Sequence, residues 1–89
     1  MITLHRTRRF RKDFRREKRR DAEVVGLLRN VIDLLVEGKG LPEFLKDHPL
    51  RGNWVNCREC HLRPDLLLIY RIAPDGITLV RLGSHSELF

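Results

Sequence analysis

Four histidines occur in this 89-residue chain, and His48, His61 and His85 fall in its second half, near predicted loop and strand ends. Imidazole gives and takes protons near neutrality, because its ordinary pKa of about 6.5 leaves both forms populated. Glu59 lies two residues before His61, so on one strand both side chains point the same way. Arg81 stands shortly before His85. Histidines grouped with a carboxylate and an arginine supply what phosphodiester cleavage needs without a metal. One group takes the proton of a 2′-hydroxyl, a second returns one to the leaving 5′-oxygen, and a cation steadies the charge building on phosphorus. The plain alternative for any single histidine is a solvated or hydrogen-bonded ring. For Glu59 it is an ion pair with Arg58, Arg71 or Arg81.

Cys57-Arg58-Glu59-Cys60-His61 spells C-x-x-C-H, a string that can mark c-type haem attachment. Short strings match often by chance. Haem attachment also needs export, and the basic N-terminus has no apolar stretch after it. Residues 57 and 60 are an odd distance apart, so on a strand they face opposite sides and cannot share a metal. No second Cys pair completes a zinc site. Two ordinary strand residues are expected, with no metal and no cofactor. Two cysteines are also too few for a disulfide scaffold, so the expected location is the cytoplasm with both thiols reduced. The longest apolar runs, Leu34–Val36 and Leu66–Tyr70, are too short to span a bilayer.

The elements that must position these groups are readable from periodicity. At 89 residues, 42% hydrophobic and 34% charged, the chain reads as one globular domain over residues 1–89. Met1–His5 reads as a short strand. Thr7 caps a helix to about Arg19, whose only large apolar positions are Phe10 and Phe14. Asp21 is the expected N-cap of a second helix, Ala22–Glu37. Val24, Leu28, Val31 and Leu35 give that helix a wide apolar face, and Gly38 and Gly40 end it. Leu41–Asn53 reads as a loop with one helical turn at Pro42–Leu45. Strands follow at Trp54–Leu62, Leu66–Ile72 and Ile77–Gly83, with turns at Arg63-Pro64-Asp65 and Pro74-Asp75-Gly76. Ser84–Phe89 reads as a tail. The order β-α-α-β-β-β predicts an α+β fold, two helices covering one face of a largely antiparallel sheet. The site belongs on the other face, where the flanking strands bring the three histidines to one end. On the last strand, Ile77, Leu79, Arg81, Gly83 and, if the strand extends, His85 are expected to share a face.

Charge is uneven. Of 18 Lys/Arg and 12 Asp/Glu, residues 1–20 hold ten basic side chains against Asp13 and Glu17. The remaining residues hold eight against ten. The first segment therefore carries all of the excess, and a polyanion is its expected partner. Without aromatics on its polar face, the helix should hold nucleic-acid phosphates and not read bases. Arg8, Arg11, Lys12, Arg15, Arg16, Arg19 and, from the later loop, Arg51 are the candidate contacts.

Three blocks of the second half resemble a known family. They are Lys46-Asp47-His48-Pro49-Leu50-Arg51-Gly52-Asn53-Trp54, Arg58-Glu59-Cys60-His61-Leu62-Arg63-Pro64-Asp65 with the apolar run after it, and Arg81-Leu82-Gly83-Ser84-His85-Ser86-Glu87-Leu88-Phe89. In this order and spacing they are similar to the YafQ branch of the RelE/ParE toxin superfamily. The first half resembles the family only in its pattern of strand and two helices, and is richer in arginine.

The resemblance implies a RelE-like fold and a type II toxin that enters the ribosomal A site and cuts mRNA. It implies inhibition by a cognate antitoxin, a DinJ-like ribbon-helix-helix protein, in a heterotetrameric complex. It places cleavage on His48, His61, Asp65 and His85, phosphate contact on Arg81 and base contact on Phe89. Glu59 stands where an aspartate is common and is carried as a substrate-binding candidate. His85 and His61 are then the expected acid/base pair, with Asp65 orienting a ring or touching RNA and His48 at the scissile phosphate. Two rivals remain at this point. One is a ParE-like gyrase poison, which needs no histidine cluster. The other is a basic RNA-binding protein without catalysis, which would be insensitive to changes at the histidines.

Overall fold

The computed structural model describes residues 2–89, so Met1 of the expected first strand lies outside it. The elements are β1 (Thr3–Arg6), α1 (Arg8–Arg20), α2 (Val24–Glu37), a 3-10 turn at Glu43–Leu45, β2 (His48–Pro49), a second 3-10 turn at Gly52–Trp54, β3 (Arg58–Arg63), β4 (Leu66–Ala73), β5 (Gly76–Gly83) and α3 (His85–Leu88). Among the described residues the strands form one mixed sheet in the order β1-β5-β4-β3-β2, with β1 parallel to β5 and the other pairs antiparallel. The expected α+β arrangement, helices on one face, is the one observed.

The apolar stripe of α2 decides that face. Val24, Leu28, Val31 and Leu35 pack with Phe10 of α1 against Cys60, Leu62, Leu66, Leu68, Tyr70, Ile77, Leu79 and Leu82 of the sheet. Gly38 ends α2 in the left-handed region at φ 72°, where its N–H closes onto the Leu35 carbonyl. At Gly76 an added Cβ would come within 2.1 Å of the Thr3 carbonyl, so only glycine lets β1 lie this close to β5.

β1 covers only the first half of β5, and α1 bonds the rest of that edge. The Thr7 N–H donates to the Leu79 carbonyl, and its hydroxyl donates to the Val80 carbonyl at 2.7 Å while accepting from Phe10 N–H. The Leu82 N–H donates to Asp13, and Arg16 donates to the Leu82 carbonyl, both at 3.0 Å. Two charged side chains of α1 thus stand in for a neighbouring strand, which satisfies backbone groups that would otherwise lie open at a sheet edge.

Several expected boundaries move. The strand drawn from Trp54 begins at Arg58 instead, because Gly52 (φ 66°) and Asn56 (φ 72°) turn the chain through left-handed conformations first. The second helix starts at Val24, not at Ala22. Asp21 still accepts from the Glu23 N–H at 3.0 Å, but it caps a turn that precedes the helix. A bulge at Val80 breaks the expected face of β5: Ile69 pairs with Arg81 but Tyr70 pairs with Leu79. Leu82 therefore joins Ile77 and Leu79 in the core, and Arg81 and Gly83 turn to the opposite face. The expected tail is largely α3, begun by a capping box in which Ser84 and Glu87 bond reciprocally.

Candidate active site

The face away from α1 and α2 carries a small apolar plug: Cys57, Leu67, Ile69 and Leu88 with Leu50, Trp54 and Val80. The histidines stand around it. Cross-strand registry sets one row of residues, His48, Glu59, Ile69 and Arg81, one from each of β2 to β5. The next row on β3 to β5 is His61, Leu67 and Gly83. His85 follows on α3, folded back beside Gly83, where an added Cβ would lie 3.0 Å from Arg16 Nη2 and 3.2 Å from Glu87.

A chain of charge and imidazole runs along this surface. The His85 ring Nδ1 and backbone N–H both meet Asp65 Oδ1 at 3.0 Å. The His85 and His61 ring centroids are 5.8 Å apart. His61 Nε2 lies 3.2 Å from Glu59 Oε1, and His48 Nε2 lies 3.5 Å from the same oxygen. His48 Nδ1 is 2.8 Å from the Lys46 carbonyl, so it donates there. The ring nitrogen held by a carboxylate fixes which one is left to exchange protons. For His85 that is Nε2, and for His61 it is Nδ1. Asp65 stays ionised: the His85 backbone N–H and ring hold its carboxyl below the usual carboxylate range.

The expected convergence of His48, His61 and His85 is therefore what the fold produces, and Asp65 joins them. Glu59 is placed differently from the expectation of a substrate contact. It is 3% exposed and lies under two imidazoles. Phe89 is 60% exposed, with its ring 6.3 Å from both His85 and Trp54. Arg81 shares the site face at its Cβ, but its guanidinium reaches the β5 edge and bonds Asp13, with Nε to Oδ2 at 2.7 Å. Arg8, Arg11, Lys12, Arg15 and Arg19 are exposed on α1, and Arg51 is exposed before the turn at Gly52–Trp54. Arg16 is turned inward onto Asp13, Glu17, Glu87 and the Leu82 carbonyl.

A clamp not found from sequence secures His48. Asp47, just before it, accepts from Arg58 Nε and Nη2 at 3.1 and 3.0 Å and from the Tyr70 hydroxyl. Burial, and then the Asp47 carboxylate, push the Tyr70 phenol up, so it remains a donor. The only signal was the adjacency of Asp47 to His48. Cys60 is buried in the core, its thiol pushed up to about 12 by burial, and Cys57 is buried in the plug, which fits two packing residues. Glu59, His61 and His85 also bring three donor atoms within 4.8 Å of one another, a set compatible with a metal ion that sequence reasoning did not anticipate.

The whole described chain, residues 2–89, matches the family model of the bacterial toxin of type II toxin-antitoxin system, YafQ. This chain belongs to the YafQ family. The mRNA interferase toxin YafQ of Escherichia coli strain B / BL21-DE3 is 33% identical over 81 residues, which cover 90% of this chain and 87% of the relative. With the strain K12 form the identity is 43% over 49 residues, and the chain spans about half of that relative, 53%. Among solved structures, YafQ in the E. coli DinJ-YafQ complex superposes with a TM-score of 0.90 at 30% identity, covering 100% of this chain and 99% of that one. A metal-bound toxin from Helicobacter pylori gives 0.91 at 43% identity over the whole of both chains. The RelE-like fold of YafQ toxins is thus the fold of this chain. Among the described residues, no helix is long and apolar enough to cross a membrane.

Proposed function

We propose that this YafQ-family toxin is an endoribonuclease that cuts mRNA in the ribosomal A site by metal-independent acid/base catalysis, and so stops translation in the cytoplasm. One observation carries the reading: two imidazoles 5.8 Å apart, each backed by its own carboxylate. His85 on Asp65 and His61 on Glu59 leave one free ring nitrogen each. One withdraws the 2′-hydroxyl proton while the other protonates the 5′-oxygen, and the 2′-oxygen displaces it to leave a 2′,3′-cyclic phosphate. His48, its Nε2 3.5 Å from Glu59 Oε1, completes the row beside the scissile phosphate. Arg81 backs the same row from the far side. Phe89 stacks on a base, and the ribosome supplies the alignment that a small open site lacks. A DinJ-like ribbon-helix-helix antitoxin in a heterotetramer is the partner that restrains it, by analogy with the E. coli complex. The histidine cluster weighs against a gyrase poison.

The metal-bound H. pylori relative favours a second reading of the same atoms. Glu59, His61 and His85 offer one oxygen and two nitrogens, which suit copper or zinc, and such an ion would supply Lewis acidity. It would also tie up both rings of the acid/base pair and the Glu59 carboxylate, so it is expected to inhibit.

Cleavage of a translated mRNA tests both readings. His61→Ala and His85→Ala should each lower the single-turnover rate by about 10²–10⁴-fold. Toxin stripped of transition metals by EDTA and then freed of the chelator should cut at the wild-type rate, and the 5′ fragment should end in a cyclic or 3′-phosphate. A 3′-hydroxyl end, or activity that the stripped toxin loses and added zinc or copper restores, would favour the metal route. Wild-type rates in both variants would remove the histidines from the chemistry.

A further inference from the structure

Phe44 is the most exposed large apolar side chain among the described residues, at 76%, above Phe89 at 60%. It projects from the 3-10 turn Glu43–Leu45, while its neighbour Leu45 is buried in the core. The turn is fixed at both ends: Leu45 N–H donates to the Pro42 carbonyl, and Lys46 N–H to the Glu43 carbonyl at 2.9 Å. Phe44 is therefore an exposed ring on an anchored support, not on a loose loop. Beneath it lies a hollow of about 240 Å³, lined by Phe44, Lys46, His61, Leu62, Arg63 and Pro64. This hollow reaches His61 without touching His85 or Phe89.

Three features give the hollow a chemistry. One wall is a ring of the candidate acid/base pair. Lys46 forms no ion pair with a described residue, whereas the charge of Arg63 is neutralised by Asp21 and Glu23, which leaves its stem to line the hollow. Lys46 also accepts the Nδ1 proton of His48 at its carbonyl, which ties the hollow rigidly to the site. An exposed aromatic ring beside cations is how single-stranded nucleic acid is held: the base stacks and the phosphate pairs with the cation. A lone exposed phenylalanine needs no explanation, but one that borders a hollow shared by an unpaired lysine and a ring of the candidate acid/base pair does.

We infer that Phe44, Lys46, Arg63 and Pro64 form a second nucleotide subsite for the substrate RNA, Phe44 stacking on one base and Lys46 holding the adjoining phosphate. The inference rests on the RNA-cutting reading above. It adds a contact on the side of the scissile phosphate that Phe89 does not serve. A strand gripped by a ring on either side of the His61–His85 pair is held in line across the two nitrogens.

The full-length chain carries the test, with Phe44→Ala, Phe44→Trp and Lys46→Ala. One measurement is cleavage of mRNA on programmed ribosomes. The other is quenching of a 2-aminopurine base in a 2′-O-methyl RNA oligomer, which cannot be cut. Phe44→Ala should raise KM and weaken the oligomer about tenfold, with a smaller effect on the saturating rate. Phe44→Trp should restore both, and Lys46→Ala should make binding less sensitive to salt. Melting temperature should not move on loss of so exposed a ring. Wild-type KM and quenching in Phe44→Ala overturn the subsite, as does a loss confined to antitoxin binding. A wild-type chain that leaves mRNA whole, yet binds the oligomer through Phe44, keeps the subsite and overturns the catalytic reading.

Discussion

Glu59 is a buried acid that stands beside two imidazoles, and it sits in a row of residues brought level by four strands. Its Oε1 stands 3.2 Å from His61 Nε2 and 3.5 Å from His48 Nε2, a negative charge between two rings that an amide of the same shape does not reproduce, because its NH₂ presents a donor to one of them. Glu59→Gln is expected to fold normally and to cut translated mRNA about 10²-fold more slowly at saturating substrate. A loss smaller than twofold, with an unchanged melting temperature, would mean that the carboxylate does not position either ring. At this scale the sequence was informative wherever residue type alone names the chemistry. Three histidines and a carboxylate on period-two spacing were visible. Asp47 and Tyr70 were not, because they sit 23 residues apart and meet only through the sheet. Trp54 was visible only as the start of a strand, although its role is to set an edge against Phe89.

α3 is a single short turn of helix, too brief for periodicity to reveal, yet it carries His85 and sets Phe89 at its C-cap. Its sequence signal is the capping box Ser84-x-x-Glu87. The bulge at Val80 has no such signal. Glu87 does more than cap. Its carboxylate meets Arg16 and Arg20 of α1, both at 3.4 Å. The Ser84 backbone N–H, with the two arginines assisting, holds this carboxyl below its usual value. A lowered folded pKa means that the stabilisation is complete above the unfolded value, near 4.5, and is lost as pH falls through the lower folded one. The lone tryptophan, Trp54, reports this docking through Phe89, whose ring is 6.3 Å away. Its emission should be steady from pH 7 to about 5 and change below that, in step with release of α3. Glu87→Gln should show part of the change already at pH 7. Identical spectra for variant and wild type at pH 7 would mean that α3 is held by Leu88 packing alone. Asp65 loses its hold on His85 in the same acid direction, and the variant separates the two effects.

Over the whole molecule, the two acids of the basic segment do not dilute its charge where a partner would meet it. Asp13 and Glu17 are buried, bonded to Arg16, Arg20, Arg81 and the Leu82 N–H. The outward side of α1 is left with Arg8, Arg9, Arg11, Lys12, Arg15, Lys18 and Arg19, none ion-paired with a described residue. Sequence arithmetic could locate the excess charge in this helix but not sort it by face, because Arg16 reads the same as its neighbours until β5 is seen beside it. Two charge reversals therefore separate. Arg11, Arg15 and Arg19 changed together to Glu should leave folding intact, weaken ribosome association, and lower the slope of log affinity against log salt by about 2. Arg16→Glu should act on the fold itself. It strips a donor from the Leu82 carbonyl and sets a fourth acid among Asp13, Glu17 and Glu87, which should lower stability by roughly 1–3 kcal/mol in denaturant unfolding. If the triple variant binds ribosomes with wild-type affinity and salt slope, the exposed cations of α1 serve another partner, and docking must come from the site face and Arg51.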